Sequence, residues 1–290
     1  MPTLIADFRA NLLLMAGHYL SKQWGPEKLV DNDALILFFD SQRRRPAIRP
    51  RRVWEADNFH CPKENAAGWE VLRKKIINGE NIGPHLSHAH SSLANVDGLL
   101  NEWGVHHFHI SAGPSFRSGP LVFGLVTDDS FYAINVFPHG SWESSDIIES
   151  LHRNWPHVIS RYRIRGIPET ALSTKQRRQS RKSNIQAFVT VSDGTVYMAI
   201  GGGVATSGVA ATAVIQAAKI SDEIKRLQVA VQEQLGKFIV HLSARGYVPE
   251  KDIKATLVGI APEGYQIRFP DYDVLFEVQI EQNSLHADSP

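Results

Sequence analysis

The sequence predicts an α+β fold: an antiparallel sheet with N-terminal helices, then a second α+β unit with one long helix and about five antiparallel strands. Two apolar runs at 121–127 and 131–137 flank a tight Asp-Asp-Ser turn, which is typical of a β-hairpin. Apolar residues at helical spacing cover 210–245, and three short strands follow them. The chain has 290 residues and is 43% hydrophobic, so it can bury one large core or two ordinary ones.

The first part of the chain alternates helical patterns with short apolar runs. Apolar residues at helical spacing predict a helix over 6–22, and the Gly-Pro pair at 25–26 ends it. The apolar run at 34–40 predicts a strand, and the arginine-rich segment 42–52 predicts a loop or an edge hairpin because it contains two prolines. Further helices are predicted over 66–78, closed by Gly79, and from an N-cap at Ser92 to Trp103, closed by Gly104.

The middle and C-terminal parts predict a sheet, a linker and a second unit. Strands at 105–110, 121–127 and 131–137 precede a helix at 142–154. Residues 170–183 are polar and basic, which favours a linker or a mobile loop. The later elements are a hairpin of 185–191 and 195–200, the helix at 210–245, and strands at 255–260, 265–269 and 274–280. We therefore predict a domain at 1–160, a basic linker at 161–184, an α+β domain at 185–282 and a disordered tail at 283–290.

The formal net charge of +1 conceals an uneven distribution of charge. Arginines crowd residues 42–52 without any acid, and basic residues crowd 161–182 against a single glutamate. Basic segments on a neutral chain suit a polyanion such as RNA or DNA, although arginines on solvated loops give the same pattern. The candidate nucleic-acid-binding residues are Arg43, Arg44, Arg45, Arg51, Arg52, Lys175, Arg177, Arg178, Arg181 and Lys182.

Cysteine usage and hydropathy predict a cytoplasmic protein that is not attached to a membrane. Cys61 is the only cysteine, so the chain has no disulfide framework. The N-terminus lacks a basic leader and a small-residue cleavage site. The segment 198–220 is long enough to span a bilayer, but it is rich in Gly, Ala and Thr and contains a Gln and a Lys.

A glycine-rich segment at 201–208 follows a predicted strand and precedes the long predicted helix. Backbone amides at such a junction can bind an anion. The segment contains neither GxxxxGK[ST] nor GxGxxG, so a flexible connection or a close contact with a helix is the favoured interpretation.

Six of the thirteen histidines fall within residues 85–109. Imidazole is the only side chain whose ordinary pKa lies in the physiological range, so such a cluster favours proton transfer, metal ligation or phosphate contact. Side chains alternate between the two faces of a strand, so His107 and His109 share one face, and His106 shares the other with Phe108. We expect the apolar face of His106 to meet the core and the polar face of His107 and His109 to meet a ligand.

Two further residues extend this candidate site. His139 follows the strand that ends at 137, and it continues one face of that strand if the chain stays extended. Arg117 lies in a loop between glycines that would let the backbone approach a ligand closely. The candidate catalytic residues are His107, His109, Arg117 and His139.

Two chemistries fit these residues. Without a metal, one histidine deprotonates the ribose 2′-hydroxyl of RNA, a second protonates the leaving oxygen, and Arg117 neutralises the charge that develops on phosphorus. With a metal, His85, His88 and His90 would supply an H-x-x-H-x-H ligand group, and the strand would supply H-x-H. Acidic partners are few nearby, and no HExxH or CxxC motif is present, so the metal-free reaction is favoured, with no cofactor. A structural role for most of the histidines stays open.

The stretches HHFHIS, LVFGLVT, DDS, FYAINVF and PHGSW follow one another between residues 99 and 142. Their order resembles the catalytic sheet of RelE-type ribonuclease toxins, and in particular the histidine-rich branch of that family. The resemblance implies a helix packed before a three- to four-stranded antiparallel sheet, His107 and His109 on the first polar strand, His139 after the last strand, and Arg117 as a loosely matched phosphate-binding arginine. The chain is longer than members of that family, and Trp142 stands nearest to the place of their terminal tyrosine.

The leading hypothesis from the sequence is a metal-independent RNA endonuclease of bacterial or phage origin, acting as a toxin or an antiviral defence effector. Its expected partners are RNA, with or without the ribosome, an antitoxin protein, and a second copy of the chain bound through the helix at 210–245. Two alternatives stay open, a non-catalytic nucleic-acid-binding regulator and a histidine-ligated metal-dependent hydrolase.

Overall fold

The computed structural model describes residues 2–25, 34–87, 95–110, 119–167, 172–248 and 251–279. Its helices are α1 (Phe8–Trp24), α2 (Ala34–Arg44), α3 (Ala66–Asn78), α4 (Gly98–Trp103), α5 (Asp146–Asn154), α6 (Pro156–Ile159), α7 (Thr174–Lys182), α8 (Ala211–Glu233) and α9 (Leu235–Ser243). Its strands are β1 (Leu4–Ile5), β2 (Arg52–Glu55), β3 (Val105–His109), β4 (Leu121–Val126), β5 (Ser130–Phe137), β6 (Arg163–Ile164), β7 (Val189–Thr190), β8 (Val196–Tyr197), β9 (Ile253–Lys254), β10 (Thr256–Ala261), β11 (Gly264–Phe269) and β12 (Val274–Val278). The predicted α+β class is confirmed.

The chain forms two compact units. The first combines Met1–Phe38 with Gln216–Pro290, and the second is Phe39–Ile215. The boundaries therefore fall within α2 and α8, not at the linker expected over 161–184. Part of that expected linker is helix α7, which belongs to the second unit.

The first unit packs helices against the antiparallel sheet β10-β11-β12. The apolar stripe of α1 is buried, and Phe238 of α9 packs its ring 5.4 Å from that of Phe269 on β11. The helix expected over 210–245 is confirmed in substance, but it is interrupted at Gln234 and continues as α9. The three C-terminal strands lie where the sequence predicted them, within about two residues.

The second unit is built on the four-stranded sheet β2-β5-β4-β3. Strands β3, β4 and β5 pair antiparallel, as the two apolar runs and their tight turn predicted. The arginine-rich segment expected as a loop or edge hairpin leads into β2, which pairs parallel to β5 at the edge of the sheet. A smaller sheet, β6-β8-β7, completes this unit.

Helices cover both faces of the four-stranded sheet. Helix α3 packs Leu72 and Ile76 on the face that contains Phe108. Residues from α4, α5 and α6 pack on the opposite face, which contains Val105 and Phe123. The expectation of one apolar and one polar face for β3 is therefore wrong, because both faces meet a hydrophobic core.

Residues 34–40, expected as a strand, form the first part of helix α2. A continuous apolar run does not distinguish a buried strand from a buried helix. The polar residues that follow distinguish the two structures. Asp40 pairs with Arg43 at 3.5 Å and with Arg44 at 2.6 Å, three and four residues later. Only helical spacing places both arginines beside one carboxylate in this way.

Helix α4 is shorter than predicted. It begins at Gly98, and the Oδ1 atom of Asp97 caps it by accepting a hydrogen bond from the backbone N–H of Leu100 at 2.9 Å. Ser92, the expected N-cap, lies outside the described residues. Gly104 ends the helix in the left-handed conformation, as predicted.

The glycine-rich segment after β8 is a close contact with α4. A Cβ atom at Gly201 would lie 2.1 Å from the carbonyl oxygen of Leu100, so only glycine fits there. The N–H groups of Gly201 and Gly203 donate to the carbonyl oxygens of Glu102 and Asn101, at 3.0 and 2.8 Å. These amides are used within the protein, which supports the favoured interpretation of this segment.

Over the described residues, we find no helix with the length and apolar character needed to cross a membrane.

Candidate functional site

A cavity of about 360 Å³ in the second unit is lined by both His107 and His139. His107 lies in the middle of β3, and His139 follows β5. The indole of Trp142 contacts both imidazoles, with ring centroids 4.6 Å from His107 and 5.1 Å from His139. The structure therefore brings together two of the three histidines that the sequence predicted as catalytic.

The pairing of β3 with β4 and the turn after β5 create this arrangement. His107 is directly opposite Phe123 on β4. Gly140 has a φ of 97°, a conformation that favours glycine, at the turn that follows β5. Trp142 then stacks on Phe123 at 5.5 Å, so the indole lies beside His107.

His109 lies away from this cavity. It is 3% exposed, it is paired with the fully buried Leu121 on β4, and it is not among the residues that line the cavity. The structure therefore does not bring His109 together with His107 and His139. Arg117, the fourth predicted residue, lies outside the described residues.

His85 is a structural histidine. Its Nδ1–H donates to the carbonyl oxygen of His109 at 2.8 Å, and its Nε2 atom lies 3.4 Å from Nζ of Lys75. A carbonyl can only accept and an ammonium can only donate, so the imidazole is neutral, with its proton on Nδ1. Burial lowers the pKa of His85 below its ordinary value, and Lys75 lowers it further, against the opposing hydrogen bond to His109.

The alternative metal site at His85, His88 and His90 is not supported at His85, because both of its ring nitrogens have protein partners. His88 and His90 lie outside the described residues. Within the described ranges, no group of three or more His, Cys, Asp or Glu side chains is placed to hold a metal ion.

Two arginines, Arg44 and Arg181, line the cavity together with the histidines. Arg44 shares the carboxylate of Asp40 with Arg43, and Arg181 shares that of Glu102 with Arg177. Each of these two clusters contains two guanidinium groups and one carboxylate. Each therefore has a formal charge of +1, which favours an anion at the cavity.

Helix α7 positions Arg181. A capping box formed by Ser173 and Gln176 begins the helix, and Arg177 and Arg181 both lie over the indole of Trp103, at 5.2 and 4.6 Å. Arg181 donates from Nη1 to the carbonyl oxygen of Trp142. The same guanidinium group therefore lines the cavity and fixes the backbone of Trp142, whose indole contacts both histidines.

The carboxylates at this cavity have partners within the protein. Glu143 pairs with Arg178, with N–O distances of 3.3 and 3.4 Å. Asp97 caps helix α4 through Oδ1. Arg178 offsets the charge of Glu143, and Asp97 offsets that of one arginine cluster, so these groups keep a formal net charge of +1.

Three of the predicted nucleic-acid-binding arginines are buried. Arg44, Arg51 and Arg177 are 4%, 7% and 4% exposed, and Arg51 donates to the carbonyl oxygens of Thr127 and Ala47. Arg51 and Arg177 therefore cannot contact a phosphate backbone at the surface, whereas Arg44 and Arg181 line the cavity. Of the residues predicted to bind nucleic acid, Arg52, Lys175, Arg178 and Lys182 are exposed, and Arg178 is paired with Glu143.

The sequence did not identify Trp142 or the carboxylates of Asp40 and Glu102 as part of the site. An aromatic residue three positions after His139 was the available signal for Trp142. For Asp40, the signal was its spacing of three and four residues from Arg43 and Arg44. Glu102 had no local signal, since its partners Arg177 and Arg181 are distant in sequence.

Comparison with known proteins gives this chain no relative: no protein-family model, no curated protein and no solved structure matches it.

Proposed function

We propose that the cavity of His107 and His139 cleaves single-stranded RNA by metal-independent acid–base catalysis. The observation that supports this most directly is the placement of two imidazoles against one indole, in a cavity that two arginines also line. His109 has no role in this narrowed site. Arg44 and Arg181 take the phosphate-binding role that the sequence assigned to Arg117.

The proposed reaction uses one neutral and one protonated imidazole. The neutral imidazole accepts the proton of the ribose 2′-hydroxyl, and the 2′-oxygen attacks phosphorus. The protonated imidazole donates its proton to the 5′-oxygen as the bond between phosphorus and that oxygen breaks. The products are a 2′,3′-cyclic phosphate and a free 5′-hydroxyl, and two such proton transfers each contribute about 10²–10⁴ in rate.

The arginines would stabilise the negative charge that grows on the phosphate oxygens during the attack. The Nη2 atom of Arg181 is buried and has no hydrogen-bond partner among the described residues, so a phosphate oxygen that reaches it would satisfy an unpaired donor. A donor already fixed by its contacts with Glu102 and Trp142 needs little reorganisation in the transition state.

The size of the cavity favours a single nucleotide over a duplex. Its volume of about 360 Å³ lies near the lower end of the range of about 300–1,000 Å³ for small-molecule sites. The half-buried indole of Trp142 offers an aromatic surface to a base, and stacking on such a ring contributes about 1–3 kcal/mol per base.

The test is cleavage of an end-labelled single-stranded RNA of mixed sequence in excess EDTA. We expect products that end in a 2′,3′-cyclic phosphate, and no cleavage of the all-deoxy strand, which lacks the nucleophile. His107→Ala and His139→Ala should each lower the rate by about 10²–10⁴. His18→Ala, which removes an exposed histidine of the other unit, should leave the rate unchanged.

Three results would overturn this proposal. Binding of RNA without any product favours the non-catalytic regulator. Cleavage that EDTA abolishes and a divalent ion restores favours the metal-dependent hydrolase. Cleavage at the parent rate by the His107→Ala, His139→Ala double variant places the reaction elsewhere.

We propose that the protein acts in the cytoplasm as a toxin or antiviral effector and that an antitoxin protein inhibits it. Its action on the ribosome and its self-association through helices α8 and α9 belong to the same proposal. Expression of the parent protein in bacteria should arrest growth, and expression of the double variant should not. Equal growth of the two strains would contradict the toxin role.

A further inference from the structure

A second and larger cavity, of about 650 Å³, lies in the same unit as the first. Helix α4 contributes to both cavities, with Leu99 in the first and Leu100 in the second. The C-terminal end of α2 does the same, since Arg44 lines the first cavity and Arg43 lines the second. Arg43 and Arg44 share the carboxylate of Asp40, so the guanidinium groups that line the two cavities belong to one ion cluster.

The lining of the second cavity is cationic. It contains Arg43 and Arg161 together with the imidazoles of His106 and His157, and no aspartate or glutamate among the described residues that line it. A concave surface with cationic side chains and no acid concentrates the positive potential inside it. An anion is therefore the ligand that this cavity favours.

Arg43 is held in place before any ligand arrives. Its Nη1 donates to Oδ1 of Asn101 at 3.1 Å, and its Nη2 donates to the carbonyl oxygen of Gly201 at 3.0 Å. Burial lowers the pKa of Arg43, while the charge of Asp40 opposes this shift. Because the guanidinium group is only partly compensated and poorly hydrated, a bound anion would stabilise its charge.

Arg161 and Tyr162 form a platform at the same cavity. The guanidinium carbon of Arg161 lies 4.8 Å from the centre of the Tyr162 ring, and its Nη2 donates to the Tyr162 hydroxyl at 2.8 Å. Planar groups of this kind stack on nucleobases. Next to Arg43, the platform would hold the base of a ligand whose phosphate contacts the arginines.

We propose that the second cavity binds the phosphate and base of a nucleotide. Binding of a free nucleotide there does not depend on catalysis at the first cavity. That the nucleotide belongs to the RNA strand held at the first cavity rests on the proposed function. Arg43 and Arg44 then contact different phosphates of one strand, which makes the second cavity a substrate subsite.

The test is isothermal titration of the full-length protein with adenosine 5′-monophosphate, for the free nucleotide, and with a short all-deoxy single strand, for the uncleaved chain. The Arg161→Gln, His157→Ala variant removes two exposed lining residues. We expect it to weaken binding of the monophosphate at least tenfold when both proteins also carry Trp142→Ala, which removes base stacking at the first cavity. Arg165→Gln is the matched control, because Arg165 is exposed in the same segment but does not line the cavity.

The two probes and two further variants separate the possible outcomes. Weakening of both probes, with a salt slope for the single strand reduced by about one, supports a subsite on the strand. Weakening of the monophosphate alone supports a free-nucleotide site and contradicts the subsite. Equal weakening by Arg165→Gln, or none by the double variant, overturns the proposal. His107→Ala and Trp142→Ala should leave the second-cavity binding intact, even if no RNA is ever cleaved.

Discussion

The Nη1 atom of Arg177 lies 2.6 Å from the Oε1 atom of Glu102, and both side chains are more than nine-tenths buried. This contact fixes helix α7, a segment expected as a linker, onto helix α4. Charged groups at this depth are stable only when paired, so the helix forms and docks together with its partner carboxylate.

Glu102→Gln should strongly destabilise the second unit. The variant leaves two buried guanidinium groups without their carboxylate, and loss of one partner of a buried pair costs about 3–5 kcal/mol. The free energy of unfolding in urea, followed by tryptophan fluorescence, measures this loss. Lys175→Gln is the control in the same helix, because the side chain of Lys175 is exposed and its loss should cost less than about 1 kcal/mol. Equal losses for the two variants would contradict the buried pair.

The stability of the fold should decrease as the pH falls below about 6.5, in part because of His85. Its pKa is lowered in the folded protein, so the unfolded chain binds more protons between the folded and the unfolded pKa values. The contribution is fully present above the unfolded pKa and is lost as the pH falls towards the folded one. One such proton changes the free energy of unfolding by at most about 1.4 kcal/mol per pH unit.

The measurement is the free energy of unfolding of the parent and of His85→Asn from about pH 5 to about pH 8, the range in which imidazole changes its charge. Each protein gives a slope of the free energy of unfolding against pH. Subtracting the slope of the variant from that of the parent removes the contribution of the other histidines. A variant with a slope as steep as that of the parent would show that His85 does not titrate differently on folding.

Gly201→Ala should destabilise the protein by about 1–3 kcal/mol, since the new methyl group would overlap the carbonyl oxygen of Leu100. Gly236→Ala in α9 is the control. A Cβ atom there meets nothing within 4 Å, and alanine is favoured over glycine in a helix by about 1 kcal/mol. Thermal unfolding distinguishes the two variants, and a neutral Gly201→Ala would contradict the close contact with α4.

The roles of His107 and His139 can be assigned with an RNA that contains a 5′-bridging sulfur at the scissile phosphate. A thiolate leaves without protonation, so this substrate needs a general base but no general acid. We expect one of the alanine variants to recover a rate near that of the parent on it and the other to remain slow. Recovery by neither variant would exclude the division into one acid and one base.

The central strands could be predicted from sequence because their signal is local. Two apolar runs joined by a tight turn specify β4 and β5, and alternation along β3 places His107 and His109 on one face. Alternation cannot show whether that face meets water or helices. It therefore could not show that His109 is buried while His107, two residues earlier, lines a cavity.

The meaning of the arginine-rich segments depended on distant partners. Arg177 and Arg181 belong to a basic segment, and their carboxylate is on another helix more than seventy residues away. A sequence pattern rich in arginine predicts surface charge, because no neighbouring residue indicates that Glu102 is the partner of these two side chains. The prediction of a strand at 34–40 was wrong for a related reason, since an apolar run of this length fits a strand and a helix equally well.

Because helices cover the four-stranded sheet on both sides, substitutions in its middle strands alter the packing of the core before they can introduce a new functional group at the surface. A side chain added at Gly124 on β4 would lie 2.6 Å from the ring of Phe131 and disturb the interior at once. The periphery is different: His139 and Trp142 stand beyond the last residue of β5, where a replacement changes what the protein recognises without unpacking its centre. Altered specificity is therefore best sought by varying that short turn and leaving the strands as they are.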